Sequence, residues 1–360
     1  MDPKIAKLLK DFEYGRVDRR QLLHALGLTA TAAVAASAIP RTVVALAGNA
    51  AQKAAAGGRP FPTPTNVNHL SCAVADYARS RDFYVDLFGM RVSWDNGKQC
   101  ALEFGNPAAP NGLYIRNVSK AGDKADVGHI AYGIPNFMMY KTAIKAEMER
   151  HELTNIRPDA EVGWICNDPA GYMLNIVTEK DTAMFPGAAA PCDVAASEKC
   201  KAAYAEGLKN LNAAPKPSGK GFKATYFSHV VVNVPELQVS KEMEFYRDFF
   251  GMKVIYNKTG ESPESFLRFG QNTLYLRKTA KADDKPYCNQ FAFVIENYDQ
   301  GKVEAELKRR GLDPKPDSKL AWTITDPDGF RIEVAGPGLP EHIANDCNGI
   351  NSSCPGGARG

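Results

Sequence analysis

The sequence predicts an α+β chain made of four βαβββ units in two pairs, and three observations carry that prediction. The first is an internal duplication. Phe83-Tyr84-Val85-Asp86-Leu87-Phe88-Gly89-Met90 returns as Phe245-Tyr246-Arg247-Asp248-Phe249-Phe250-Gly251-Met252, and Leu113-Tyr114-Ile115-Arg116 returns as Leu274-Tyr275-Leu276-Arg277. Asp168-Pro169-Ala170-Gly171-Tyr172 returns as Asp326-Pro327-Asp328-Gly329-Phe330. The second is the order of patterns, which in each copy runs alternating strand, amphipathic helix, then short strands, twice over. The third is punctuation: Gly89 and Gly251 fit the residue just past a helix end, and each Asp-Pro-Xaa-Gly is a tight turn.

Residues 1–47 differ in kind from the rest. Lys4, Lys7, Lys10 and Arg16 lead to Asp18-Arg19-Arg20-Gln21-Leu22-Leu23, followed by a weakly apolar, Ala-rich run to Ile39. This is the pattern of a bacterial twin-arginine export signal, too weakly apolar for a membrane span. Ala45-Leu46-Ala47 offers a cleavage site, with Ala36-Ser37-Ala38 as the earlier choice. The expectation is delivery by the twin-arginine export machinery to the periplasm or the extracellular space, the alternative being an uncleaved N-terminus. Residues 48–65 are rich in Ala, Gly and Pro and form a linker.

The first copy occupies 66–178. Its first unit has a strand at 68–74, a helix at 78–88, and strands at 91–94, 100–104 and 112–116. Its second unit opens at 128–133, continues with a helix at 138–151, and ends with strands near 156–158, 163–166 and 172–177. In the turns, Pro and Gly fix the backbone angles, so Asp168 and Asp326 are read as structural. Residues 179–224 join the copies, with one short helix at 197–211. The second copy fills 225–336, and 337–360, rich in Gly, Asn, Ser and Pro, is expected to be irregular.

Composition narrows the function. The chain has 360 residues, 44% of them hydrophobic, enough for two packed domains. A balance of 44 basic against 41 acidic residues gives a net charge of +3 and no general attraction to nucleic acid. Of eight cysteines, Cys72, Cys100, Cys166 and Cys288 fall in or beside strands as buried thiols. Cys192 with Cys200 and Cys347 with Cys354 each close a short loop and are candidates for local disulfides after export, cross-pairing being the alternative.

Aligning the copies places polar residues at matching strand sites: His69, His129 and Asn175 in the first, His229, Gln290 and Glu333 in the second. The steps between them are 60 and 46 residues in one copy, 61 and 43 in the other. These motifs together resemble the vicinal oxygen chelate superfamily, which includes glyoxalase I, extradiol dioxygenases and bleomycin-binding proteins. The resemblance implies that each pair of units curls into a mixed-sheet cup with metal ligands at those three sites. It makes His229, Gln290 and Glu333 the first choice, because a carboxylate cancels part of a cation's charge, and His69, His129 and Asn175 the second. It implies a divalent metal, Fe(II) or Mn(II) ahead of Zn(II), and a small substrate with two adjacent oxygens. Extradiol-type dioxygenase chemistry is the first expectation; a glyoxalase-like lyase or isomerase and a binding protein without chemistry are the alternatives. The position where glyoxalases carry a further carboxylate holds Tyr114 or Tyr275, a poor ligand while protonated. Tyr275 is the candidate proton or hydrogen-bond donor, and Phe266, Tyr275, Phe291 and Trp322 are candidates to line the cup.

Overall fold

The computed structural model describes residues 59–179 and 213–345, apart from 108, 121, 160–162, 261 and 282, together with 207, 210 and 211. The export segment, most of the linker and the cysteines at 192, 200, 347 and 354 lie outside the described residues. The first half runs β1 (Asn66–Val74), α1 (Tyr77–Phe88), β2 (Arg91–Asp95), β3 (Gln99–Phe104), β4 (Asn111–Asn117), β5 (Asp126–Ile134), α2 (Phe137–Arg150), β6 (Thr154–Asp159), β7 (Gly163–Asn167) and β8 (Met173–Thr178). The second repeats it as β9 (Ala224–Val234), α3 (Val239–Asp248), β10 (Lys253–Lys258), β11 (Glu264–Phe269), β12 (Asn272–Lys278), β13 (Tyr287–Ile295), α4 (Gln300–Arg309), β14 (Lys315–Ser318), β15 (Ala321–Thr325) and β16 (Arg331–Ala335). Four βαβββ units in two pairs are therefore present, as the repeat predicts.

Each half forms one eight-stranded sheet, ordered β2-β3-β4-β1-β5-β8-β7-β6 and β10-β11-β12-β9-β13-β16-β15-β14. Opening strands β1 and β5 pair antiparallel at the centre, and each pairs in parallel with the closing strand of its own unit. The helices follow local rules. The Asp76 side chain accepts from the N–H groups of Ala78 and Arg79 at the start of α1, and Gly89 ends that helix at φ 66°.

Strand alternation sorts each sheet into two faces. Leu70, Cys72, Val230 and Phe291 join the helices in a single apolar core that runs through both halves. At its centre the Tyr132 ring of β5 meets Phe250 at 4.9 Å and Phe269 at 5.4 Å, while Phe293, at the matching site of β13, meets Phe88 at 4.6 Å and Phe104 at 5.3 Å. The sheets thus share a core across their helix-bearing sides. Their other faces, which carry the candidate ligands, are turned away from it and from each other.

Two reciprocal hydrogen bonds register the halves. The Tyr84 hydroxyl of α1 donates to Asp326 Oδ2 at 2.7 Å, and the Tyr246 hydroxyl of α3 donates to Asp168 Oδ2 at 3.0 Å. The other oxygen of each aspartate accepts a backbone N–H of its own turn, from Tyr172 or Phe330. Gly105 and Gly270, both at positive φ, lie so close to the carbonyls of Thr225 and Thr65 in the opposite half that a Cβ would collide with them.

The seams are not identical. In one, Ser80 on α1 donates to Asp328, which also pairs with Arg79 at 3.0 Å. In the other these partners are Glu242 and Ala170, so the carboxyl has moved from turn to helix. Glu242 is fully buried beside Asp168, and neither of its oxygens has a well-formed hydrogen bond. Burial and then the Asp168 charge push the Glu242 carboxyl up to about 10, and burial lifts Asp168 to about 7.

The segment after Gly336 departs from the expected irregular tail. It forms α5 (Leu339–Asn345), whose Leu339, Ile343 and Ala344 are buried. Burial of that short apolar stripe, rather than helix propensity, accounts for it.

The seam gives a pH prediction. Both acids hold protons more tightly folded than unfolded, so their contribution is fully present below about pH 4 and is lost as pH rises through about 7 and towards about 10. Melting temperature is expected to fall from pH 5 to pH 9, and Glu242→Gln to flatten that fall. Differential scanning calorimetry across the range checks it; parallel wild-type and variant curves would contradict it.

Candidate functional site

The backbone brings the three candidate positions of each half onto one face. His69 pairs with Ala131 across β1 and β5, and Ala131 with Asn175 across β5 and β8. His229, Ala292 and Glu333 repeat that row, with His129 and Gln290 two residues away on the central strands. A register shift beside each first histidine makes Asn68 and Ser228 bulged residues.

In the first half the two imidazoles converge. His69 Nε2 lies 3.1 Å from His129 Nε2, and His69 Nδ1 lies 2.8 Å from the Asn68 amide oxygen. The Asn68 amide nitrogen donates to the Thr178 carbonyl, which fixes the direction of the amide. Nδ1 of His69 is therefore the protonated nitrogen and Nε2 offers its lone pair. Burial, then His129, holds His69 well below its ordinary range; burial, then Arg116 and Arg157, brings His129 to about 3. Tyr114 stacks on His69 at 4.2 Å. Asn175 Nδ2 donates to Asp159 Oδ2 at 2.6 Å, while Asn175 Oδ1 is buried without a partner. Burial raises the Asp159 carboxyl, against the pull of the Asn175 bond. His129 and Arg116 keep part of their surface, while His69 and Tyr114 are buried.

The second half is wired differently. Gln290 Nε2 donates to Glu333 Oε1 at 2.5 Å, and Gln290 Oε1 accepts from Arg277 Nη1 at 3.3 Å. Arg277 Nε donates to Glu264. Reversing the Gln290 amide would set oxygen against oxygen and NH2 against guanidinium, so its direction is fixed. His229 Nε2 stands 3.5 Å from Glu333 Oε2. Burial opposes ionisation of Glu333, but His229, Arg277 and Gln290 together hold its carboxyl below the ordinary range. Tyr275 lies flat on His229 at 4.1 Å, and burial pushes its phenol well above the usual value. Its hydroxyl, both His229 nitrogens and Glu333 Oε2 lack hydrogen bonds.

This second cup is also filled. Leu339, Ile343 and Ala344 of α5 pack with Tyr256, Phe266, Tyr275, Ala321 and Ala335. Of the expected lining, Phe266 and Tyr275 face the cup. Phe291 and Trp322 do not: they alternate with Gln290 and Ala321 and enter the shared core, where the Trp322 indole donates to the Gln300 carbonyl. In the first half Trp94, Ala101 and Tyr114 form the corresponding cluster, with Gly207 seated against the Trp94 ring. Cys72, Cys100, Cys166 and Cys288 are buried free thiols, as expected.

Among the described residues, no three His, Cys, Asp or Glu side chains are grouped to hold a metal by themselves. An amide oxygen would have to complete either set. Sequence reasoning missed Asn68, Asp159, Arg116, Arg277 and Glu264. The arginines were visible inside the repeated Leu-Tyr-Xaa-Arg motif, and Asp159 recurs as Asp317 at the same offset from the turn aspartates.

A family model described as Glyoxalase/Bleomycin resistance protein/Dioxygenase superfamily matches residues 66–176 and 226–334. Among solved structures, a Mn(II)-bound glyoxalase from Novosphingobium aromaticivorans is similar at 16% identity and a TM-score of 0.54, covering 76% of this chain and 83% of that one. The 2,3-dioxygenase LapB from Pseudomonas sp. KL28 follows at 12% identity and 0.57, covering 77% and 93%. A mutant of homoprotocatechuate 2,3-dioxygenase from Brevibacterium fuscum is similar at 17% identity and 0.54, covering 76% and 72%. At these identities the likeness is one of fold. No curated protein sequence matches the chain.

The plug in the second cup is testable through stability. Leu339 is fully buried, so Leu339→Ala is expected to cost about 2–5 kcal/mol. Urea denaturation measures it; a change under about 0.5 kcal/mol, the range of an exposed site, would contradict the packing.

Proposed function

Because the chain belongs to the Glyoxalase/Bleomycin resistance protein/Dioxygenase superfamily, we propose that it is a metal-dependent protein of the oxygen-chelate kind whose metal sits in the first cup. The supporting observation is the approach of His69 Nε2 to His129 Nε2 at 3.1 Å. Two imidazoles sharing one cation at about 2.0–2.1 Å have nitrogens roughly 2.9–3.4 Å apart. Each nitrogen is neutral, and Asn68 holds the other nitrogen of His69 as a metal-binding imidazole requires. Asn175 Oδ1, the buried oxygen without a partner, is the third donor.

Bound there, a divalent cation supplies Lewis-acid polarisation of two adjacent substrate oxygens. The chain's own residues orient and enclose: Tyr114 walls the cup over His69, and the partly exposed His129 stands at its entrance. Two imidazoles and an amide lack the carboxylate of a 2-His-1-carboxylate iron site, so Zn(II) and lyase or isomerase chemistry fit better than oxygen activation by Fe(II).

A second reading keeps dioxygenase-like chemistry at His229, Gln290 and Glu333, with Tyr275 as donor. It is favoured by the free nitrogens of His229 and the free Oε2 of Glu333, which a cation would satisfy. Against it stand the Arg277 guanidinium inside the network and the α5 plug. The Arg19-Arg20 leader supports export of the folded, loaded protein by the twin-arginine machinery to the periplasm or beyond.

Metal content per chain, by mass spectrometry on protein purified without chelator, tests the assignment. Near-stoichiometric metal is expected in wild type and in Glu333→Ala, and loss in His69→Ala and His129→Ala. Loss in Glu333→Ala alone would move the site to the second cup, and metal-free wild type would favour a binding protein without chemistry. Asn68→Ala is expected to weaken metal binding about 10–100-fold by freeing the imidazole tautomer.

A further inference from the structure

The equivalent arginines of the two cups differ in what neutralises them. Arg277 pairs with the carboxylate of Glu264, its direct neighbour across β11 and β12. Arg116 has the same neighbour position across β3 and β4, but Gln99 occupies it. Arg116 instead donates through Nη1 to the hydroxyl of Ser71 at 2.6 Å, where the second half has Val231. No ion pair joins Arg116 to a carboxylate among the described residues. Of the nearby acids, Asp126 at the start of β5 is attracted by Arg116 but makes no ion pair with it, and Asp159 is engaged by Asn175 and feels Arg157.

The guanidinium is also placed to act. It lies along the strand that carries His129, where a Cβ on Gly128 would come within 3.2 Å of Arg116 Nη2. Asn289 stands at that position in the second half. Arg116 is close enough to His129 to oppose its protonation, yet it keeps part of its surface. A planar, partly desolvated guanidinium that no carboxylate contacts in an ion pair can receive a bidentate anion.

We propose that Arg116 makes the first cup selective for substrates bearing a carboxylate or comparable anionic group beside the two chelating oxygens. This rests on the first-cup metal reading, which leaves the substrate's charge open. The second cup has no such preference, because Glu264 already occupies Arg277.

The test uses Zn(II)-loaded full-length protein and two probes, catechol and 3,4-dihydroxybenzoate, titrated calorimetrically while bound zinc is measured. Wild type is expected to bind the carboxylated probe at least about tenfold more tightly. Arg116→Gln, and independently Gln99→Glu, which recreates the Glu264 neighbour, are each expected to bring the ratio close to one with zinc retained. Equal binding of the two probes by zinc-loaded wild type, or a preference that survives both variants, would overturn the role of Arg116 while leaving the metal site standing. Wild type that takes up no zinc and binds neither probe would overturn the first-cup reading, and this proposal with it.

Discussion

The hydroxyl of Tyr84 reaches Asp326, and that of Tyr246 reaches Asp168, so the first helix of each half is held against the last turn of the other. The same two contacts register the shared core between the halves. A Tyr–Asp bond sealed inside an apolar core is strong because neither partner has water as an alternative. It fixes how β5 and β13 lie across the shared core, where Tyr132 and Phe293 each insert into the opposite half. With the helix-bearing sides committed to that core, the remaining face of each sheet is free to become a site.

The two free faces have taken different courses. Around His69 and His129 the groups are neutral imidazoles, an amide whose oxygen is unsatisfied, and a guanidinium in no ion pair among the described residues. Around His229 a chain of hydrogen bonds runs from Glu264 through Arg277 and Gln290 to Glu333, α5 packs over it, and the His229 nitrogens, the Tyr275 hydroxyl and Glu333 Oε2 stay outside the chain. Burying charges costs stability unless each is paired, and here Arg277 is paired with Glu264 and Glu333 Oε1 with Gln290. In the proposed reading the first cup keeps its ligands for a metal, whereas the second ties Glu333 and Gln290 to Arg277. The same exchange of charge between equivalent positions occurs at the seams, where Ser80 and Asp328 correspond to Glu242 and Ala170.

Much of this was legible in the sequence because it depends on backbone. Repeated glycines at helix ends and the Asp-Pro-Xaa-Gly turns fix where strands begin, and strand pairing then places His69 and Asn175 in one row. What depends on side-chain direction was not legible. Phe291 and Trp322 enter the core because the register sets Gln290 and Glu333 on the cup face, and a β-bulge between Cys288 and Gln290 hides that phase from simple alternation. The choice between cups turns on which way the Gln290 amide faces and on whether Gln99 or Glu264 stands beside the arginine. Neither the orientation nor its consequence is written in a motif. The seven-residue α5 gives too short a periodic window to stand out from its Gly- and Pro-rich surroundings.

In the proposed assignment, equivalent positions in the two halves have diverged into one metal-accepting cup and one whose Glu333 and Gln290 are tied to Arg277. Anomalous diffraction at the zinc and manganese edges, from crystals grown with each metal, tests it most directly. One strong peak is expected between His69 Nε2 and His129 Nε2, and none within the Glu264–Arg277–Gln290–Glu333 chain. A peak among His229, Gln290 and Glu333, with none at the first histidine pair, would contradict it.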